Sequence, residues 1–192
     1  MNSVVRNISI DREVSSDDFR SAMRQLTGGV SVITAGRGRD ISGMTVTSVS
    51  SLSVDPPALI VSVSRAASSL PLLKRYGFFG VNILTSDQLD IAERFTGKDG
   101  LKGADRFAGA EWITHASGVP LLVGALAAID CEVEEIVERH SHAIIIGRVL
   151  DVEVSSRSAA LAYWHGQYVA IDRDEDAIRL AEVSVPARRV MR

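Results

Sequence analysis

The chain has 192 residues, the size of one domain with short appendages, and 46% of them are hydrophobic while 23% are charged. This balance excludes an intrinsically disordered chain. The formal net charge of −3 argues against nucleic acid as a partner, because binding a polyanion requires a basic surface. The apolar runs are shorter than the roughly 20 residues of a membrane helix, so we expect no membrane partner.

The cysteine content and the first residues predict the compartment. Cys131 is the only cysteine, which rules out an internal disulfide and favours a reducing environment. The N-terminal sequence has no apolar stretch followed by a cleavage site, so we expect no signal peptide. Together these observations predict a cytoplasmic protein. Cys131 itself lies in an apolar stretch and is expected to be a buried structural thiol.

The first predicted elements are a helix and a β-hairpin. A polar segment, 15–18, precedes apolar residues at helical spacing, and the glycine pair 28–29 ends the helix. Its apolar residues are Phe19, Met23 and Leu26. β-Branched residues over 30–35, a turn-forming cluster over 36–40 and a second extended stretch over 41–44 predict the hairpin.

A third strand and a short helix follow. We expect the strand over Ala58–Ser64, entered from a loop at the prolines 56–57, which are unsuited to regular ladder pairing. Residues 69–76 predict a helix with proline in its first turn and Gly77 at its end. The next strand is expected over Phe78–Leu84.

The second half begins with another helix and ends with two long strands. Thr85 lies three residues before Gln88, the spacing of a capping box, and predicts the start of the helix. The segment Thr96–Trp112 is expected to be a long, mobile loop. The long strands are predicted over Leu126–Glu138 and Ala143–Val154. The charged loop residues are expected to be merely solvated: Lys98, Lys102, Asp105 and Arg106.

The order of elements favours one mainly β domain. Strands outnumber helices and are mostly joined by short turns, which indicates an antiparallel barrel rather than a doubly wound sheet. No Gly-x-Gly-x-x-Gly motif follows a strand and opens a helix, so a Rossmann-type nicotinamide site is not expected. We expect 1–15 to be an N-terminal extension, 16–172 the domain, and 173–192 a loose tail or an arm on a partner subunit.

A dense run of hydroxyl side chains is the first candidate for chemistry. From Thr45 to Ser53, six of nine residues carry a hydroxyl, and Gly43 lies just before them. Such a segment can offer hydroxyls and free backbone N–H groups to a phosphate or a flat heteroaromatic ring. Composition alone favours a simpler interpretation, a polar strand with a serine loop.

Seven segments strengthen the functional interpretation because they occur together and in order: Thr27–Thr34, Gly43–Ser48, Phe79–Leu84, Ala92–Phe95, Asp105–Gly109, Ile144–Val149 and Leu161–Tyr168. Across about 17–171 the chain resembles the flavin reductase family, the small component of two-component flavin-dependent monooxygenases. This resemblance implies a mainly β fold, a Greek-key split β-barrel that binds FMN, with a few short helices. It also implies a homodimer with flavin near the subunit interface.

The resemblance implies a flavin site built from three parts of the chain. One part lines the ring edge and ribityl chain: Met44, Thr45, Val46, Thr47, Ser48, Ser50 and Ser51. Another meets the phosphate, where an arginine supplies charge-assisted bonds: Ser64, Arg65 and Ser68. Arg94 and Phe95 complete the pocket wall; the alternative for this pair is a helix-surface cation and a core aromatic ring.

The nicotinamide candidates cluster at a turn. His142 matches a family histidine that meets the nicotinamide, and Ser141 and Tyr168 are further candidates for binding NADH or NADPH. The family turn reads Gly-Asp-His, whereas His140 and Ser141 stand in the first two positions here. A solvated turn histidine is the alternative for His142. No metal is expected, because no carboxylate or cysteine cluster accompanies the two histidines.

The predicted activity follows from the resemblance. It implies an NAD(P)H:flavin oxidoreductase that reduces FMN or FAD and supplies the reduced flavin to a separate monooxygenase. Hydride transfer is the chemistry of the cofactors, so we expect no essential catalytic side chain. The altered turn keeps a second interpretation open, a non-catalytic split-barrel protein that holds flavin as an electron carrier or sensor.

Overall fold

The computed structural model describes residues 13–156 and 159–172. Most of the predicted N-terminal extension and all of the predicted tail 173–192 lie outside the described residues. The helical elements are α1 Ser16–Met23, α2 Leu70–Tyr76, α3 Leu89–Thr96 and a 3₁₀ helix, Gly103–Phe107. The strands are β1 Gly28–Gly29, β2 Ser31–Arg37, β3 Asp40–Val46, β4 Ser50–Val54, β5 Pro57–Ser64, β6 Phe78–Ile83, β7 Trp112–Thr114, β8 Pro120–Leu122, β9 Ala127–Arg139, β10 His142–Val154, β11 Ala159–Trp164 and β12 Gln167–Asp172.

A seven-stranded antiparallel sheet dominates the fold, with the order β3-β2-β6-β9-β10-β5-β4. β3 and β4 lie at opposite edges of this sheet, yet only residues 47–49 separate them in the chain. The two edges are therefore close together and the sheet curls into a split barrel, which confirms the predicted mainly β fold class. Ser48, within this connection, extends the β4–β5 pairing: its hydroxyl donates to the carbonyl oxygen of Ser62 on β5 at 2.8 Å and accepts from the Ser62 N–H at 3.3 Å.

Two hydrophobic clusters hold the described elements together. The first fills the barrel and includes the fully buried side chains of Ile33, Val61, Phe79 and Ile145. The second packs α3 and the 3₁₀ helix against the outer side of β2 and β11, and Phe95 lies within it. Because burial of apolar area is the main favourable term in folding, β2, which contributes to both clusters, is buried from Ser31 to Gly36. β10 contributes to the first cluster alone, and its first residues alternate between buried and exposed. Within the described part of the chain, no helix combines the length and the apolar character needed to cross a membrane.

Several local predictions are confirmed. The Ser15 hydroxyl caps α1 by accepting from the Asp18 N–H at 3.0 Å. The hairpin β2–β3 and the long strands β9 and β10 form as expected. Gly77 ends α2 in the left-handed conformation, with φ of +71°, which glycine adopts without steric penalty.

Other predictions need correction. The serine segment is not a loop, because Ser50–Val54 pairs with β5 in a hairpin. Pro57 pairs with Val54 as the first residue of a strand, a position where no N–H is needed. Thr85 is not the helix cap: Gln88 precedes α3, and its side-chain oxygen accepts from the Thr85 N–H at 3.0 Å.

The segment Thr96–Trp112 is more structured than predicted. It contains the 3₁₀ helix and the first residue of β7. Three aromatic rings, those of Phe95, Phe107 and Trp112, pack with centroid separations of 4.8 to 5.6 Å. The indole N–H of Trp112 also donates to the Phe107 carbonyl oxygen at 3.0 Å. These contacts attach the segment to α3.

Candidate functional site

A cavity of about 790 Å³ opens where β3 ends, beside the ends of β5 and α3. Its lining comes from five parts of the chain: Gly43–Ser48, Ser62 and Ser64, Ala66–Ser68, Phe95–Gly97, and the separate residues Lys102, Arg106 and His142. Most of the residues predicted from the sequence for a flavin site are among them. The structure thus brings together residues that lie up to 99 positions apart, from Gly43 to His142.

Gly43 shapes the floor of the cavity. A Cβ atom at this position would lie 2.7 Å from the Ile33 carbonyl oxygen and 2.7 Å from Cε1 of Phe95. Glycine therefore allows β3 to pass directly against the Phe95 ring, which is 1% exposed. This ring is a core aromatic side chain and, at the same time, part of the cavity lining.

The hydroxyls after Gly43 have different roles. Thr45 donates to the Ala92 carbonyl oxygen at 2.5 Å and so ties β3 to α3. Ser48 is occupied by its two hydrogen bonds to Ser62. Thr47 is exposed, and its hydroxyl has no hydrogen-bond partner among residues 13–156 and 159–172. Of the three, Thr47 has the hydroxyl that is free to bind a ligand.

Two cationic side chains, Lys102 and Arg106, line the cavity. Nη1 of Arg106 donates to the Gly43 carbonyl oxygen at 2.6 Å, and its Nε donates to the Leu101 carbonyl oxygen at 2.9 Å. Gly97 makes room for this guanidinium, since a Cβ atom there would lie 2.7 Å from Nη2. No carboxylate belongs to the described lining, so the cavity has a positive potential that suits an anion.

The predicted phosphate residues do not all face the cavity. Ser64 and Ser68 line it, and the Ser68 hydroxyl lies 2.9 Å from that of Ser42. Because Ser42 precedes Gly43, Ser68 and Arg106 are anchored to consecutive residues of β3. Arg65 lies outside the lining.

Arg65 is instead held by groups at the far end of β9. Its Nε lies 3.1 Å from Oε2 of Glu138, and its Nη1 donates to the His140 carbonyl oxygen at 3.0 Å. Lys74 forms an ion pair with the other carboxylate oxygen of Glu138. Lys74, and secondly Arg65, hold the pKa of the Glu138 carboxyl below its usual value, so Glu138 is ionised at neutral pH.

The turn between β9 and β10 brings His142 to the cavity. His142 is the first residue of β10, pairs with Ser64 across the sheet, and lines the cavity. The Ser141 hydroxyl lies 2.9 Å from its Nδ1. His140 adopts φ of +49°, in the left-handed region. Ser141 is not part of the lining, and its closest link to the cavity is this contact with His142.

The remaining predicted residues lie elsewhere. Ser50 and Ser51 are exposed on β4, outside the lining. Arg94 points toward Gly109, where a Cβ atom would lie 3.5 Å from its Nη2. Tyr168 lines a neighbouring cavity of about 480 Å³, which shares Thr45, Val46 and Thr47 with the first. Burial, followed by nearby Tyr163 and Glu93, raises the pKa of the Tyr168 phenol, which therefore stays protonated at neutral pH.

Sequence reasoning missed five polar or flexible contributors: Ser62, Thr96, Gly97, Lys102 and Arg106. The two cations were expected to be solvated loop residues. A signal for Arg106 was nevertheless available, because it lies in Asp105–Gly109, one of the segments that carry the family resemblance. Ser62 faces Ser48 in the continuation of the β4–β5 hairpin, and sequence reasoning missed it because that pairing was not predicted.

The chemistry of the cavity follows from this arrangement. An apolar floor, a free hydroxyl and two cations suit a flat heteroaromatic ligand that carries an anionic group. The lining contains no described carboxylate or cysteine that could act as a general base or a nucleophile. Among the described residues, no group of three or more histidine, cysteine, aspartate or glutamate side chains is placed to hold a metal ion.

Comparison with known proteins places the chain among flavin reductases. The model of the "Flavin reductase like domain" family matches residues 23–172. The reductase component of an FADH(2)-dependent resorcinol hydroxylase from a Rhizobium species is 38% identical over 156 residues, which cover 80% of this chain and 86% of that protein. The FMN reductase (NADH) RutF of Stutzerimonas stutzeri is 36% identical over 155 residues, covering 81% and 88% of the two chains.

Solved structures agree with these relatives. The crystal structure of BorF, the flavin reductase component of a bacterial two-component tryptophan halogenase, aligns with a TM-score of 0.76 and 32% identity. The alignment covers 82% of this chain and 99% of that one. The similarity therefore includes the barrel and the segments that form the cavity.

Proposed function

Because the chain belongs to the flavin reductase-like family, we propose that its main cavity is the place where a nicotinamide cofactor reduces a flavin. The protein is an oxidoreductase that takes hydride from a nicotinamide cofactor and reduces flavin. The observation that carries the placement is the cavity itself, whose lining includes Thr47, Arg106 and Phe95. Flavin and nicotinamide supply the hydride chemistry themselves when bound.

The residues fit a flavin. A volume of about 790 Å³ is within the range of about 300–1,000 Å³ typical of small-molecule sites. Met44 and Val46, which are partly exposed, offer apolar surface for the isoalloxazine ring, and Thr47 offers a hydroxyl. Arg106, together with the predicted residues Ser64 and Ser68, would meet the phosphate.

The chain contributes position and electrostatics. Arg106 compensates the negative charge of the phosphate, and its bonds to two backbone carbonyls restrict where that charge can lie. His142 lines the same cavity, which supports its predicted contact with the nicotinamide. No side chain is assigned a proton-transfer role, because orienting the two rings is enough for hydride transfer.

The names of two relatives indicate which cofactors this protein uses. One of them is named as an NADH-dependent FMN reductase, and another as the reductase component of an FADH(2)-dependent hydroxylase. We propose NADH as the electron donor, with FMN or FAD as the acceptor. The proposal includes a cytoplasmic location, which the single cysteine favours.

The reduced flavin is used by another protein. Relatives of this chain are reductase components of two-component monooxygenases, which act with a separate oxygenase. We propose that this protein likewise supplies reduced flavin to a separate flavin-dependent monooxygenase. Mixing the protein and NADH with such an oxygenase should support substrate hydroxylation only when flavin is added.

We also propose a homodimer. α1 has no buried residue in the single chain, and its apolar side chains Phe19 and Met23 are 60% and 45% exposed. Leu26, just after the helix, is 65% exposed. Such an apolar face is typical of a surface that another subunit covers. Light scattering at micromolar concentration should give twice the mass of the chain; the mass of one chain would contradict the proposal.

The altered turn favours one alternative, a flavin-holding protein without reductase activity, because His140 and Ser141 replace the family residues. Absorbance of NADH in the presence of protein and free FMN separates the two functions. We expect NADH to be consumed with turnover. His142→Ala should raise the KM for NADH and lower kcat/KM about tenfold, with flavin affinity nearly constant. Absence of NADH oxidation by the unaltered protein would favour the electron carrier or sensor.

A further inference from the structure

The turn between β9 and β10 contains an unfavourable backbone conformation. His140 adopts φ of +49°, a region that non-glycine residues avoid because Cβ crowds the backbone. Such a conformation persists only where surrounding contacts hold it. The residue is exposed and lies two positions before His142, so the contacts that hold His140 also affect a residue of the cavity.

Arg65 adds two hydrogen bonds to this turn, which the pairing of Arg139 with His142 closes. Its backbone N–H donates to the Ser141 carbonyl oxygen at 2.9 Å, and its guanidinium donates to the His140 carbonyl oxygen at 3.0 Å. Consecutive carbonyl groups of the turn are therefore bound by one residue of the neighbouring strand. The side-chain bond is the part that depends on the identity of residue 65.

The guanidinium is in turn directed by Glu138. Nε of Arg65 lies 3.1 Å from Oε2 of Glu138, whereas Nη1 donates to His140. The ion pair and the hydrogen bond therefore use different nitrogen atoms of the planar guanidinium group. Both side chains are partly exposed, at 52% and 38%, so the ion pair contributes mainly orientation. Lys74 binds the other oxygen of the same carboxylate. Among the described residues, it forms no hydrogen bond or ion pair with residues 140–142 of the turn.

We infer that Arg65 is a positioning residue for the nicotinamide site, holding the 140–142 turn so that His142 faces the cavity. This inference depends on the proposed function. It replaces the predicted role of Arg65 as a phosphate ligand, because that role would require Arg65 to leave both Glu138 and His140. The cavity already has Arg106 and Lys102 as its cations.

The inference predicts a specific rescue. If the turn depends on Arg65 because His140 is unfavourable at positive φ, glycine at position 140 should make the turn independent of Arg65, since glycine adopts this region freely. Arg65→Ala should therefore impair NADH use, and the double variant Arg65→Ala/His140→Gly should recover it. Lys74→Ala is the matched control, because it removes the other ion pair of Glu138 and leaves the turn contacts in place.

Steady-state kinetics with NADH and FMN, flavin titration by fluorescence, and amide hydrogen exchange test the inference. Arg65→Ala should raise the KM for NADH about three- to tenfold, the loss of one ordinary hydrogen bond, while kcat changes less and the Kd for FMN stays within about twofold. The Ser141 and His142 amides should exchange faster. His140→Gly in the Arg65→Ala background should restore the KM to within about twofold of the unaltered protein, and Lys74→Ala should match the unaltered protein.

Three results would overturn the inference while leaving the reductase function intact. One is a weaker Kd for FMN in Arg65→Ala with an unchanged KM for NADH, which would make Arg65 a phosphate ligand. Another is unchanged hydrogen exchange and KM in Arg65→Ala. The third is a loss that His140→Gly does not restore. If the unaltered protein fails to oxidise NADH with any flavin, the proposed function fails first, and the role of Arg65 at a nicotinamide site fails with it.

Discussion

The role of Arg106 can be tested through a difference between two flavins. FMN carries a phosphate that riboflavin lacks, and the isoalloxazine ring is the same in both. We expect Arg106→Met to weaken FMN binding much more than riboflavin binding, because Arg106 lines the same cavity as Ser68 and no described carboxylate belongs to that lining.

The size of the effect follows from the contacts of this side chain. A hydrogen bond to a charged group contributes about 1.5–3 kcal/mol, which corresponds to about 10- to 150-fold in Kd. Arg106 is only partly buried, and Lys102 is a second cation in the lining, so we expect the lower end of that range. The Kd for FMN should therefore rise about tenfold and that for riboflavin less than about threefold.

Quenching of flavin fluorescence measures both constants directly. Arg39→Met is the matched control, because it removes one positive charge from the exposed turn between β2 and β3, away from the cavity. Arg106→Lys should lie between the unaltered protein and Arg106→Met, since lysine keeps the charge but loses the planar fork that binds two carbonyls. The difference between FMN and riboflavin should shrink as salt is raised.

Equal losses for the two flavins would refute this reasoning. In that case Arg106 would act only by attaching the 3₁₀-helix segment to β3, through its bond to Gly43. A similar loss in Arg39→Met would show that net charge, rather than local contact, determines flavin affinity.

Three further predictions concern single residues. Thr47→Val should weaken flavin binding several-fold with the fold intact, because the Thr47 hydroxyl has no partner among the described residues and is free to bind the flavin. Unchanged affinity in a flavin titration would contradict this. Gly147→Ala should lower the free energy of unfolding by about 1–3 kcal/mol in urea denaturation, because the new Cβ would overlap the buried Phe79 ring. Gly29→Ala is the control, because a Cβ atom at that position meets open space, and equal losses in the two variants would contradict the argument. Burial raises the pKa of Cys131 to about 12, so a thiol reagent at mildly alkaline pH should label it only in denaturant, and rapid labelling of the native protein would contradict its burial.

Local sequence patterns determined the elements that depend on near neighbours. The helix with Pro71 in its first turn ends at Gly77 because glycine alone enters the left-handed region freely. The long strands β9 and β10 follow from two stretches rich in β-branched residues on either side of a short polar turn. The hydroxyl run after Gly43 indicates the cavity wall, and the ordered segments around it identify the family from the sequence alone.

Tertiary structure decided where the long side chains point. Arg65 and Arg106 are both arginines next to candidate segments, yet Arg106 lines the cavity and Arg65 does not. The difference comes from partners 63 and 75 positions away, the Gly43 carbonyl for Arg106 and the His140 carbonyl for Arg65. A flexible cation takes the direction of the acceptors that surround it. Those acceptors come close only through tertiary contacts: the pairing of β5 with β10 for Arg65, and the packing of the 3₁₀ helix against β3 for Arg106.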